Sequence, residues 1–159
     1  MKTHTTRERW PEWTGTIRVV IRDQRGRFAR GGKTFHNLIT DAGTNLMRDA
    51  LGGFVTDAKI KYVAVGTSST APAAGQTQLV AESFRKLVTK TDNTVGTAQV
   101  KSTMYLAPGE ANIAIAEIGW FAGAGASAAA NSGVMVARVL YSHTHTTSES
   151  IQFDRTDTL

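Results

Sequence analysis

The chain has 159 residues, of which 41% are hydrophobic, with three prolines and no cysteine. That is enough apolar material for one compact domain with a real core, and the missing thiols exclude disulfide staples, thiolate nucleophiles and every cysteine-based metal site. The formal net charge of +5 sits at one end: residues 1–34 hold nine basic and three acidic side chains, a net +6, and the other 125 residues hold nine against ten, a net −1.

No apolar run approaches the ~18 residues of a spanning helix, and the opening "MKTHTTRERWPEW" lacks the apolar stretch of a secretory signal. The expectation is therefore a soluble, intracellularly made protein with no membrane partner. The N-terminal 1–13 reads as an arm, because it precedes the first strand pattern and Pro11 breaks any helix there. It carries Arg7, Arg9, Trp10 and Trp13, residue types that anchor interfaces, so it is expected to dock on an adjacent subunit.

The first strand is predicted at 16–22, where Ile17, Val19 and Ile21 alternate with Arg18, Val20 and Arg22. "DQRG" (23–26) has the Asp and Gly of a tight turn, so 27–35 returns as a hairpin partner bent at Gly31 and Gly32. "ITDAGTNLMRDALGG" predicts one α-helix over about 40–51. Thr40 or Asp41 caps it, Gly52 and Gly53 provide its left-handed exit, and Ala42, Leu46 and Ala50 share an apolar face with Met47 and Leu51. Asn45, Arg48 and Asp49 are left outside. Short apolar runs follow at 60–65, 86–90, 98–106, 113–121, 134–142 and 150–156, with turns at Asp92-Asn93 and Pro108-Gly109 and a weak helical turn at 78–84. About eight strands and one helix predict a mainly β fold, a single β-sandwich or jelly-roll-like domain over 14–159.

The tract "GAGASAAANSG" (123–133) contains the GxGxxA spacing of a dinucleotide fingerprint, but the helix that must follow has no room before the strand from Val134, and residues 141–148 hold no acid. It reads as the flexible connection of a β-hairpin, composed of small residues that bury little, and "GTSSTAPAAGQTQ" (66–78) has the same texture. "GTSST" lacks the second glycine of a nucleophile elbow. Glu110 and Glu117 flank the start of one strand. Placed inward with Ile113 and Ile115, Glu117 needs a partner, for which Arg138 on the neighbouring strand is available. "SHTHTTSES" has the one metal-like spacing: His143 and His145 point to one side of an extended chain, so a three-fold axis would gather six imidazoles around an ion. Two polar loop histidines are the plainer reading. No catalytic constellation and no cofactor site emerge.

Four stretches in order, "HNLITDAGTNLMRDAL", "YVAVGTSSTAPAAGQTQLVAESFRK", "EIGWFAGA" and "VMVARVLYS", resemble a family of small structural proteins of tailed bacteriophages, labelled tail-fibre-like or virion proteins. The resemblance spans about residues 16–156. It implies a non-enzymatic virion component, assembled in the host cytoplasm and commonly one copy of a symmetric oligomer. The partners are then other virion proteins, with a homo-trimer expected from the need to cover sheet edges. A tail or baseplate fibre location is placed ahead of capsid decoration. Two other classes stand beside it. Trp120, Tyr141 and Tyr105 on sandwich loops would stack on a host-surface glycan, and the N-terminal arginines would meet nucleic-acid phosphates with steep salt dependence.

Overall fold

The computed structural model describes residues 13–94 and 96–159. The alternation noted above becomes ten strands and one helix: β1 (Thr14–Asp23), β2 (Phe28–His36), β3 (Leu38–Ile39), α1 (Asp41–Leu51), β4 (Ile60–Gly66), β5 (Glu82–Leu87), β6 (Lys90–Thr94), β7 (Gln99–Leu106), β8 (Ala114–Ala122), β9 (Val134–Thr144) and β10 (Glu149–Thr158). They form two five-stranded antiparallel sheets, ordered β2-β1-β10-β7-β6 and β3-β9-β8-β4-β5, the β-sandwich-like architecture that the pattern predicts.

Period-2 alternation puts one face of each strand into the space between the sheets. Ile17, Val19 and Ile21 from β1 meet Met104 and Leu106 from β7, Ile118 and Trp120 from β8, and Ile151 and Phe153 from β10 in one core. Trp120 is wholly buried there. The chain changes sheets between β5 and β6 at a single corner: Val88 N–H donates to Lys61 O at 2.8 Å in one sheet, and Thr89 N–H to Thr103 O at 2.8 Å in the other.

The β1–β2 hairpin turns at Gly26, which has φ +75°. The register shifts between Arg18 and Val20, where Gly31 adopts φ +145° and a Cβ would lie 2.4 Å from Val19 O. Only glycine fits this bulge. α1 begins at Thr40, whose Oγ1 accepts from Gly43 N–H at 3.0 Å and donates to Met135 O at 2.5 Å. The same cap therefore starts the helix and ties it to β9.

Four expectations need correction. Leu51 was placed on the buried face of α1 and is 84% exposed, because the helix approaches the sheet through Gly43, the one buried residue in it, where a Cβ would meet Val136 O at 2.6 Å. The run 86–90 is not one strand but the corner between β5 and β6. Asp92 and Asn93 are not a turn; they pair with Lys101 and Val100 inside β6. Residues 78–81 are irregular and 82–84 already belong to β5, so no helical turn forms there.

Trp120→Ala is expected to cost about 3–5 kcal/mol, since a fully packed indole leaves a large cavity. Leu51→Ser is expected to change stability by less than about 0.5 kcal/mol. Urea unfolding of both variants checks the pair.

Candidate functional site

The polar chemistry of the chain gathers first on the outer face of β8 and β9. Glu117 and Arg138 are both fully buried, with Arg138 Nη2 2.7 Å and Nε 2.9 Å from Glu117 Oε2. The pair foreseen from the sequence is present, but it does not point between the sheets. The β8–β9 register shifts between Ile115 and Glu117, so Ile115 stays in the core and Glu117 turns to the other face. There the carboxylate accepts from Ala81 N–H at 2.7 Å and Val80 N–H at 3.2 Å. Arg138 donates onward to Thr70 O at 2.8 Å and Gln76 Oε1 at 3.0 Å. The connection from β4 to β5 is thereby laid over the sheet, and Leu79 beneath it packs with Ala64, Phe121 and Met135 in a second small core.

A similar lock holds the small-residue tract. Arg85 bonds Glu82 through Nε at 2.7 Å and Nη2 at 2.9 Å, and its guanidinium lies 4.2 Å from the centre of the Phe121 ring. Its Nη1 donates to Ser127 O and Ser132 O, both at 3.0 Å, while Glu82 Oε2 accepts from Asn131 N–H at 2.9 Å. The tract does connect a hairpin, β8 to β9. The reading of it as a flexible connection that orders little is corrected: Ala126 is buried and Ser132 Oγ joins the loop to itself at Ser127 and Ala129.

The two histidines have partners within their own chain. His143 Nε2 lies 2.5 Å from Glu149 Oε1. His145 is buried, with Nδ1 2.7 Å from Glu110 O and Nε2 3.1 Å from Glu149 O, so backbone carbonyls occupy both ring nitrogens. Each ring nitrogen of His145 thus faces a backbone carbonyl inside its own chain. Among the described residues no group of three or more His, Asp or Glu side chains has metal-site geometry. Nearby, Glu110 is held below its ordinary value of 4.5, first by its bond to Lys86 Nζ at 2.6 Å and also by Ala107 N–H at 2.8 Å, against a partial burial that acts the other way.

Of the residues expected at an interface, Arg7, Arg9 and Trp10 lie outside the described residues. Trp13 belongs to its own domain: it packs on the core, donates from Nε1 to Asp157 Oδ1 at 2.8 Å, and lies 5.9 Å from the Arg155 guanidinium. Arg155 is fully buried and bound to Asp157, with the Trp120 ring on another side at 5.4 Å. Burial pulls this guanidinium below its ordinary value, and the Asp157 charge opposes the shift. Sequence reasoning passed over Arg155 and Asp157, although Ile151, Phe153, Arg155 and Asp157 fall on one face of a period-2 strand and the signal was there.

The aromatics proposed for sugar stacking divide. Trp120 is inside and has no face to offer, which removes it from any carbohydrate platform. Tyr141 stands edge-on to Phe35 and Phe153, each at 5.8 Å, with burial pushing its phenol upward. It lines a groove of about 410 Å³ between β2 and β9 with Arg30, Lys33 and Phe35. Arg18, Arg25, Arg30 and Lys33 on the hairpin are exposed and form no salt bridge among the described residues, so these four charges face solvent.

Comparison of the chain with protein families, with curated proteins and with solved structures gives no match.

Glu117→Ala is expected to cost about 3–5 kcal/mol, because it leaves the Arg138 charge buried and uncompensated. It is also expected to make the 66–81 connection the first site of limited proteolysis. For Glu110 the sign follows from its depressed value: its stabilising effect is complete above the ordinary 4.5 and disappears as pH falls through the lower folded value. Thermal unfolding of the native chain and of Glu110→Gln is therefore expected to differ most near neutrality and to converge in acid.

Proposed function

We propose that the chain is a non-enzymatic structural component of a tailed bacteriophage particle, acting through subunit contacts at the tail or baseplate fibre. Capsid decoration is the alternative location. One observation carries this reading: the four stretches that resemble phage structural proteins are bonded to one another. Thr40 at the start of the first donates to Met135 O in the fourth, and Asp41 N–H donates to Ala74 O at 2.9 Å in the second. Glu117 in the third binds Val80 and Ala81 in the second, and Arg138 in the fourth binds Glu117. The distinctive residues are thus consumed in holding loops against a sheet. That use of polar side chains suits a protein whose work is contact.

The surface supports the same reading. Leu51 and Phe54 are 84% and 82% exposed at the end of α1, and Leu87 and Val80 are also more than half exposed. Exposed apolar side chains that lie together mark surfaces that a partner covers, and in this reading Leu51 and Phe54, three positions apart, are such a pair. The basic β1–β2 hairpin adds charge that steers such a partner if its surface is acidic. In this reading the assembled form is a homo-trimer that covers these side chains and the outer sheet edges.

Native mass spectrometry of the purified chain tests assembly, and cryo-electron microscopy of particles carrying it tests location. The double variant Leu51→Ser, Phe54→Ser is expected to keep the unfolding midpoint of the single chain while losing the trimer and incorporation into particles. A stable monomer both in concentrated solution and on the particle would overturn the trimer, and normal incorporation of the double variant would remove this face from the contact.

A further inference from the structure

A cavity of about 210 Å³ lies between the two sheets at the end that α1 closes. Its walls are apolar on nearly every side: Leu46 and Met47 from α1, Ile60 from β4, Val100 from β7, Val136 from β9, and the Trp13 indole. Three lining residues, Lys59, Thr91 and Leu159, are exposed, and they mark the side on which it meets solvent. Two buried polar residues also interrupt the walls. Ser102 is fully buried and Asp157 nearly so, and both Ser102 Oγ and Asp157 Oδ2 find no hydrogen-bond partner among the described residues. Asp157 Oδ1, by contrast, is fully used, accepting from Trp13 Nε1 and from Arg155.

An unpartnered carboxylate oxygen beside an apolar cavity is a costly arrangement for a fold to keep. The size is informative as well, since a cavity of roughly 150 Å³ lined by apolar side chains takes up benzene. Somewhat more space with a charged acceptor at one wall selects a flat aromatic one ring larger that carries a hydrogen-bond donor on its edge. Purely apolar ligands leave Asp157 Oδ2 unsatisfied, and anions are repelled by it.

We infer that this cavity is a binding site for an indole-class ring, seated among Leu46, Ile60, Val100 and Val136 with its N–H donating to Asp157 Oδ2. Trp13 forms one wall and ties the site to the same carboxylate through its own N–H. The ring has two sources of identical chemistry: a free small molecule, or a tryptophan side chain. Trp10, three positions before Trp13, is the tryptophan of this chain with the shortest tether to the site.

The probes are indole and benzene, titrated into the full chain and followed by isothermal titration calorimetry and by thermal unfolding. Indole is expected to raise the unfolding midpoint by about 2–4 °C near saturation and to bind at least ~10-fold more tightly than benzene, as a bond to a carboxylate implies. Val100→Phe fills the cavity with apolar bulk, and with cooperative unfolding retained it is expected to abolish the response. The same titration on Trp10→Ala separates the sources. Equal binding by both chains assigns the site to a free ligand, and binding by Trp10→Ala alone assigns it to Trp10. If neither chain responds to indole, the inference falls. It falls equally if benzene binds as tightly as indole, or if Val100→Phe, made in whichever chain binds indole and still folded, leaves that binding unchanged.

Discussion

The Glu117–Arg138 pair is the constraint from which much of the rest follows. Two charges removed from water are unfavourable by several kcal/mol each, and one bond between them does not offset this. Here the carboxylate also takes two backbone N–H groups from residues 80 and 81, and the guanidinium reaches Thr70 O and Gln76 Oε1. Every one of those additional partners lies in the connection between β4 and β5. The pair is satisfied only with that connection in place, and the connection, which has no secondary structure of its own, is positioned by the pair.

The consequence for packing is that the sheet containing β8 is buried on both faces. Trp120 and Ile118 face the space between the sheets, while Phe121 faces Leu79 and the Arg85 guanidinium. This explains why β8 reads as an almost unbroken apolar run rather than an alternation. In the other sheet no comparable cover exists over β2, where eight of nine residues are exposed. One side of the molecule is thus closed by its own loops, and the hairpin side keeps its charges and edge in water. Contacts with other subunits, in the proposed role, have that uneven surface to work with.

Strands whose faces differ were legible in the sequence. β1, β7, β9 and β10 fall within a few residues of where alternation places them, and the helix starts at the Thr40 cap that its sequence advertises. What was missed has physical reasons. The corner after β5 is a change of sheet without a glycine or proline to mark it. Asp92 and Asn93 are residues of turns by preference, yet they sit in an edge strand whose side chains meet water, where that preference costs little. The inward placement of Glu117 failed because one bulge reverses every side chain beyond it. Of the site residues, the Glu117–Arg138 pair followed from the rule that a buried charge needs a partner. Nothing in composition showed that His145 is consumed by two carbonyls, because those partners are backbone atoms and leave no trace in residue type.

The small-residue tracts show how composition misleads about order. Gly, Ala and Ser bury little area, so a loop made of them gains little from the hydrophobic effect and is naturally taken as mobile. Small side chains, however, let one backbone approach another, and approach exposes amide groups to the few charged side chains nearby. Arg85 and Glu82 reach three backbone groups of the 127–132 segment because no bulky side chain stands between. Gly43 does the same for α1 against β9. In each case order is imposed by directional bonds from a guanidinium, a carboxylate or a cap residue rather than by apolar area. The same chemistry that makes these residues look catalytic in a sequence, paired acids and bases with unusual burial, is in this fold the means by which loops without a core of their own are fixed.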